Sequence, residues 1–454
     1  MWMRSLSLFL RRLIKRGSVV VVDPDGRSER YGEAASDPVT VRLHTRSLPR
    51  RLLVNPDLVR GSVVVVDPDG RSERYGEAAS DPVTVRLHTR SLPRRLLVNP
   101  DLVLGEAYMD GALTVDGDDI YGLIELLLIN LAQQPDVWHY RWLARLRQLS
   151  RNLAQFNPAE RARRNVAHHY DLSGALYDLF LDADRQYSCG YFRHPGDSLE
   201  AAQQAKKALI ATKLLLKPGQ RVLDIGCGWG GLGLQLARDH DARVTGVTLS
   251  QEQHRIAEAR ARTSGLADRA RFRLQDYRQV EGSFDRVVSV GMFEHVGVPH
   301  YREFFDTLRQ RLSEDGVALL HTIGRADGPS ATNPWLAKYI FPGGYSPALS
   351  ELLAEVERSG LYVTDIEIWR LHYAETLKAW RQRFEAELDR VREIYDERFC
   401  HMWRFYLVIS ELAFRQGGHV VFQIQLARKQ DAVPLTRDYL ALPEIRDDFA
   451  SKAA

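Results

Sequence analysis

From residue 221 onward the chain alternates short apolar runs with longer stretches whose apolar positions recur at helical spacing. Seven runs read as strands: RVLDIG from Arg221, ARVTGVTL from Ala242, ARFRLQ from Ala270, FDRVVSV from Phe284, GVALLHTI from Gly316, LYVTDIEIW from Leu361 and HVVFQIQLA from His419. Helical stretches separate the first five, the pattern of a doubly wound α/β domain with a parallel sheet. Between the last two lie residues 371–417, rich in aromatic and charged side chains at helical spacing. A connection that long usually carries function, so it reads as a lid or binding wall.

Upstream, Arg16 to Val59 reappears letter for letter as Arg60 to Val103. Each copy reads as strand, turn, strand: SVVVV, then DPDG with Pro and Gly at turn positions, then TVRLHT. Two copies are too few for a solenoid, and identity at exposed positions, where substitutions are nearly neutral, reads as a recent tandem duplication or an error in the underlying sequence. Only the second copy runs into LGEAYMDG, so residues 60–135 are expected to form a small α/β domain, with 16–59 as surplus. Residues 136–160 read as a basic linker helix with Trp138, Trp142, Leu143 and Leu146 on its apolar face, leaving 161–454 for the larger domain.

Composition narrows the class. Hydrophobic residues make up 44% and charged residues 27% of 454, ordinary for a globular chain, and a formal net charge of +3 gives no reason to expect nucleic acid. Locally the balance differs. Residues 1–15, with Arg4, Arg11, Arg12 and Lys15 and no acidic residue, fit an amphipathic helix that could rest on an anionic membrane or cap its own domain. No run of eighteen apolar residues occurs. The three cysteines, Cys189, Cys227 and Cys400, lack metal-ligand spacing. The simplest expectation is therefore a reduced, cytoplasmic protein without metal.

The candidate chemistry starts at Gly226, Gly228 and Gly230, which follow the first large-domain strand and precede a helix. Glycines there let backbone approach a ligand beyond the carboxyl ends of the strands. A nicotinamide-binding domain would also want an acidic residue ending the second strand, where Thr248 and Leu249 stand.

The motifs AHHYDLS, QYSCGYF, AQQAK, LDIGCGWGG, GVTLSQEQ, DRVVSVGMFEHVG, LLHTIG, KYIFPGG and VVFQIQLAR, in this order, resemble the cyclopropane-fatty-acyl-phospholipid and mycolic acid cyclopropane synthases. The resemblance spans nearly the last 300 residues, and the N-terminal part is similar to the small domain of the longer bacterial members. It implies a seven-stranded class I S-adenosylmethionine-dependent methyltransferase fold with a helical lid. Cofactor contacts it implies are Tyr187 and Ser188, the loop Gly226, Gly228 and Gly230, then Thr248, Leu249 and Gln253, and Gln275, Asp276, Tyr277 and Arg278, with Asp276 for the adenine amine and Tyr277 for stacking.

It further implies bicarbonate as the base, held by the backbone at Cys189 and Ile323 and by the side chains of Glu294, His321 and Tyr373. Ordinary readings stand beside these: a buried thiol at Cys189, a helix cap at Glu294 or His295, a satisfied core histidine at His321, a core Tyr373. The implied reaction places a methylene across the double bond of a phospholipid acyl chain. Methyl transfer without ring closure, to an acyl chain or an amine, is the alternative; a non-catalytic lipid-binding protein is the third. The implied location is peripheral, on the inner face of the membrane, and a homodimer is one expectation for the assembly.

Overall fold

The structure is a computed structural model describing residues 61–76, 81–133, 155 and 174–440, with 18–22, 28–32 and 38–42 as backbone strands. The expected basic N-terminal helix and linker helix, and the AHHYDLS motif, lie outside the described residues. The chain divides into two compact units, residues 1–103 with 112–116, and residues 104–111 with 117–454.

In the first unit the two copies give the same three-stranded element twice. Strands β1 (Ser18–Val22), β2 (Ser28–Gly32) and β3 (Pro38–Arg42) form one sheet, with β1 central, antiparallel to β2 and parallel to β3. The second copy repeats this as β4 (Ser62–Val66), β5 (Ser72–Gly76) and β6 (Pro82–Leu87), and adds β7 (Leu113–Val115) on the free edge of β6.

Alternation sends Val63, Val65 and Tyr75 inward with Val85, Leu87 and Leu113. The DPDG turn is closed by Asp67, whose Oδ1 accepts from the N–H groups of Asp69 and Arg71 at 3.0 and 2.7 Å. It leads into SERYG as a hairpin strand, which the sequence reading had passed over. That segment has no β-branched residue, and Tyr75 is its only apolar side chain.

The edge of β6 is occupied by β7 through Val85↔Val115, Arg86↔Thr114 and Leu87↔Leu113. No such addition accompanies β3 among the described residues. Among the described residues, deleting Arg16 to Val59 therefore removes no strand paired with the four-stranded sheet. The shortened protein is expected to keep its activity and an equal or higher thermal midpoint, as scanning calorimetry and product analysis would show; loss of activity would mean that both copies are needed.

After β6 the chain forms α1 (Leu92–Val98), α2 (Pro100–Met109) and α3 (Ile120–Gln133). Most of the last two belongs to the second unit.

The second unit continues with α4 (Gly174–Phe180), α5 (Leu199–Lys213), β8 (Arg221–Ile225), α6 (Gly231–Asp239), β9 (Arg243–Thr248), α7 (Gln251–Thr263), β10 (Ala270–Leu274) and β11 (Phe284–Val290). Then come α8 (Tyr301–Arg311), β12 (Leu312–Arg325), α9 (Pro334–Tyr339), α10 (Leu349–Ser359) and β13 (Tyr362–Trp369). The strand order is β10-β9-β8-β11-β12-β14-β13, where β14 is His419–Ala427. Strands β8 to β12 run parallel, and β14 inserts antiparallel between β12 and β13. All seven expected strands are present.

Neighbouring residues on each central strand feed opposite cores. Leu223, Val287 and Leu320 face Phe304, Leu308 and Leu352, whereas Val222, Val288 and Leu319 face Ile210, Leu236 and Ala257. Burial on both faces is what continuous apolar strands require. The expected lid consists of α11 (His372–Ala386), α12 (Leu388–Ile394) and α13 (Glu397–Arg415). Within the same unit, Arg404 pairs with Glu385 at 2.6 Å and with Asp118, and Arg381 stacks over Tyr121 at 4.6 Å while holding Glu411 at 2.9 Å.

Candidate functional site

A cavity opens at the carboxyl ends of β8, β9, β10 and β11. Its floor is the turn from β8 into α6, where Gly226, Gly228 and Gly230 all have positive φ. At Gly228 (φ 54) an added Cβ would meet nothing within 4 Å, so conformation alone asks for glycine. Gly230 (φ 82) is different: its Cβ would lie 2.8 Å from Phe272 Cζ and 3.0 Å from Ala257 Cβ. It serves the packing under the loop and does not line the cavity, unlike Gly226 and Gly228.

The opposite wall is residues 184–189, a segment without regular structure held by the polar face of α5. Gln203 Nε2 donates to the carbonyls of Ser188 and Gln186 at 2.9 and 3.3 Å. Lys206 Nζ donates to Gln186 Oε1 and Ser188 Oγ, both at 2.8 Å, and Lys207 pairs with Asp184 at 2.5 Å. Arg260 of α7 grips the same Asp184 and donates to Trp229 O at 2.9 Å, joining this wall to the glycine turn. Tyr187 stacks on Trp380 of α11 at 5.1 Å and bonds the Tyr406 hydroxyl of α13 at 2.8 Å, so the lid fixes it.

Of the sequence-derived cofactor residues, Tyr187, Ser188, Gly226, Gly228, Thr248, Leu249, Gln253, Gln275, Asp276, Tyr277 and Arg278 all line the cavity. The Thr248 hydroxyl donates to Gln253 Oε1 at 2.9 Å, and Ser250 caps α7 through Gln253 N–H, which fixes Gln253 against the end of β9. Asp276 is not a free acceptor: Arg278 reaches its oxygens at 2.9 and 2.7 Å, so its charge is already neutralised.

Reasoning from sequence missed Asp224, Lys206 and His295 as lining residues. Asp224 Oδ2 is buried without a partner, and burial pushes its carboxyl up to about 7. Burial brings the Lys206 ammonium down to about 7, since Gln186 and Ser188 offer it no charge, and His295 down to about 4. The AQQAK motif was the available signal for Lys206.

The residues read as the proton-handling set are not among those lining this cavity, but the structure links them. Glu294 and His295 share one helical turn after β11, His295 on the cavity and Glu294 turned away. Glu294 Oε1 accepts the Ile323 N–H at 2.6 Å. That amide thus orients the carboxyl group and is not left open for an anion. Glu294 Oε2 is buried without a partner, and burial raises this carboxyl to about 7, so that near neutrality it can hold a proton.

His321, two residues before Ile323 on β12, packs edge-on to Trp369 at 5.0 Å, and burial pushes its ionisation well below the ordinary range. Cys189 is enclosed, its thiol raised by burial and donating to Gly190 O at 3.3 Å, so it is no nucleophile. The next residue, Gly190, donates to Thr376 Oγ1 at 2.9 Å, one turn beyond Tyr373 on α11. Tyr373 itself packs against Phe414 and Trp380 at 4.9 and 5.8 Å. No cluster able to hold a metal occurs among the described residues.

Comparison with known proteins places this arrangement. The family model described as mycolic acid cyclopropane synthetase matches residues 157–424, and a domain of unknown function, DUF7884, matches 57–133. A probable fatty acid methyltransferase of Pseudomonas putida is 40% identical over 63% of this chain and 73% of its own. The cyclopropane-fatty-acyl-phospholipid synthase of Escherichia coli K12 is 39% identical over 71% of this chain and 82% of its own. Among solved structures, the mycolic acid cyclopropane synthase CmaA1 in complex with SAH and CTAB superposes with a TM-score of 0.56 at 32% identity, covering 60% of this chain and 99% of that one. The glycine turn, the seven-stranded order and this shared length agree: the chain belongs to the mycolic acid cyclopropane synthetase family, an enzyme of the S-adenosylmethionine-dependent methyltransferase kind.

Proposed function

We propose that the protein binds S-adenosylmethionine in the cavity at the glycine turn and forms cyclopropane rings on unsaturated acyl chains of phospholipids. When bound, this co-substrate supplies a methyl group on a sulfonium, electrophilic enough for an alkene to attack without a base. Attack leaves a carbocation, and the ring closes when the added methyl loses a proton. That cation needs a site without water, and the buried aromatic rings of Trp369, Trp380 and Phe414 packed around His321 and Tyr373 support one.

The observation that supports proton removal after methyl transfer is Glu294: a buried carboxyl held by Ile323, with one unpartnered oxygen, back to back with a cavity residue. A methylated alkene must shed a proton to become neutral, and loss from the added methyl, rather than from the chain, closes the ring. Bicarbonate as base fits this reading in part. Glu294, protonated near neutrality, and His321 would hold the anion, which would take the proton; Ile323 acts through Glu294. Incubation with labelled co-substrate and liposomes, followed by mass analysis of the fatty acids, tests the proposal: a gain of CH2 in a product that no longer reacts as an alkene is expected, and a methyl-branched product of the same mass that keeps a double bond would favour the simpler transfer.

Two cavity groups set the pH dependence of binding. As pH rises through about 7, Asp224 loses a proton and becomes anionic, while Lys206 loses one and becomes neutral. Both changes make the cavity more negative, so affinity for the cationic co-substrate is expected to rise from about pH 6 to about pH 7.5. Calorimetry should show this, with a shallower slope in Asp224→Asn; affinity independent of pH would contradict it.

Among the described residues no helix is long and apolar enough to cross a membrane. The basic residues Arg4, Arg11, Arg12, Lys15 and Arg16 support reversible attachment to an anionic surface. Flotation with anionic vesicles should be lost on adding salt, because screening weakens surface attraction; no flotation even at low salt would refute it.

A further inference from the structure

His321 is held by a buried polar chain that the chemistry above does not use. Gln423 of β14 lies opposite His321 in the antiparallel register of β12 and β14, with its Nε2 3.1 Å from His321 Nδ1. Its Oε1 accepts from Lys213 Nζ at 2.7 Å. Lys213, in the last turn of α5, also pairs with Glu367 of β13, and its own carbonyl accepts from Gln425 at 2.5 Å. Lys213, Gln423 and His321 are all enclosed, with exposures of 1%, 0% and 2%.

The chemistry of the donors fixes the direction of every bond in this chain. An ammonium paired with a carboxylate has only hydrogens to offer, so it turns the Gln423 oxygen toward α5 and the amide nitrogen toward the imidazole. His321 Nδ1 must then accept, and a neutral ring carries its single proton on Nε2.

We propose that Lys213 and Gln423 are positioning residues that lock His321 as an Nε2–H donor and deny it the part of base. A second proton on the ring would have to leave Nδ1 facing the amide's own hydrogens. Nor does the chain conduct protons outward, because an amide passes one only by becoming an imidic acid. The proton released on ring closure must therefore be taken by another group, while His321 orients whatever accepts it. This rests on the proposed role of His321, but the tautomer does not.

Selective 15N labelling of histidine tests it, with the His321 signals identified by their loss in His321→Gln. The expected wild-type spectrum shows a protonated Nε2 and a bare Nδ1 at neutral pH. In Gln423→Glu the carboxylate accepts from the ring instead, so the proton should move to Nδ1. Ring formation should then fall about tenfold or more in kcat, the usual cost of losing an orienting partner, with co-substrate affinity within about twofold.

A wild-type ring protonated at Nδ1, or averaging between tautomers, overturns the lock and leaves the proposed function standing. A flipped tautomer with full ring formation overturns both, since His321 would then lie outside the reacting site. Should Gln423→Glu fail to fold, the wild-type spectrum alone decides the lock.

Discussion

Glu294→Gln is expected to cut ring formation by about 100- to 10,000-fold, the range for removing a group that handles a proton in a transition state. Co-substrate affinity should stay nearly intact, because Glu294 does not line the cavity. Glutamine keeps the Oε1 that accepts the Ile323 N–H, so orientation survives and only the ionisable proton is lost. Turnover followed by mass analysis, beside calorimetry with the co-substrate, separates the two effects. Parallel loss of binding and turnover would assign Glu294 to holding the fold.

The second large effect concerns stability. Gly230→Ala forces a side chain into left-handed backbone, at roughly 1–2 kcal/mol. It also drives a methyl against Phe272 and Ala257, at about 1–3 kcal/mol for overpacking. A total loss of about 2–5 kcal/mol is expected in a denaturant titration. Gly228→Ala meets open space and should cost only the backbone contribution, about 1–2 kcal/mol. Equal losses at the two positions would show that the packing beneath the loop yields.

The seven strands were legible because a sheet covered on both faces writes itself as apolar runs, and the glycine turn because glycine adopts left-handed angles at the least cost. The lid was legible as an excess of helical pattern between two strands. SERYG was not, since a hairpin strand with one apolar residue looks like a turn.

The polar face of α5 was hidden for a sharper reason. Gln203, Lys206, Lys207 and Lys213 follow helical spacing, and lysines on a helix are read as solvated. Here their partners, Gln186, Ser188, Asp184 and Gln423, lie far along the chain, and only the fold brings them together. Likewise the sequence pair Glu294 and His295 did not reveal which of the two faces the cavity.

The three residues of β7 have consequences for how the first unit reaches its structure. The sequence that β7 recognises on β6, Val85, Arg86 and Leu87, occurs again as Val41, Arg42 and Leu43. Arg42 repeats even the guanidinium that holds Asp116 through Arg86. Local preference therefore cannot tell the two candidate edges apart, and discrimination falls to chain entropy. The spacer to the second copy is shorter by one whole block, which favours it only logarithmically, by about 0.6–1 kcal/mol for roughly a factor of two to three in loop length. The first copy also leaves the ribosome earlier. A nascent chain thus meets a kinetic choice between degenerate registers, and refolding of the full chain should show a slow phase, from escape out of the wrong pairing, that the single-copy chain lacks.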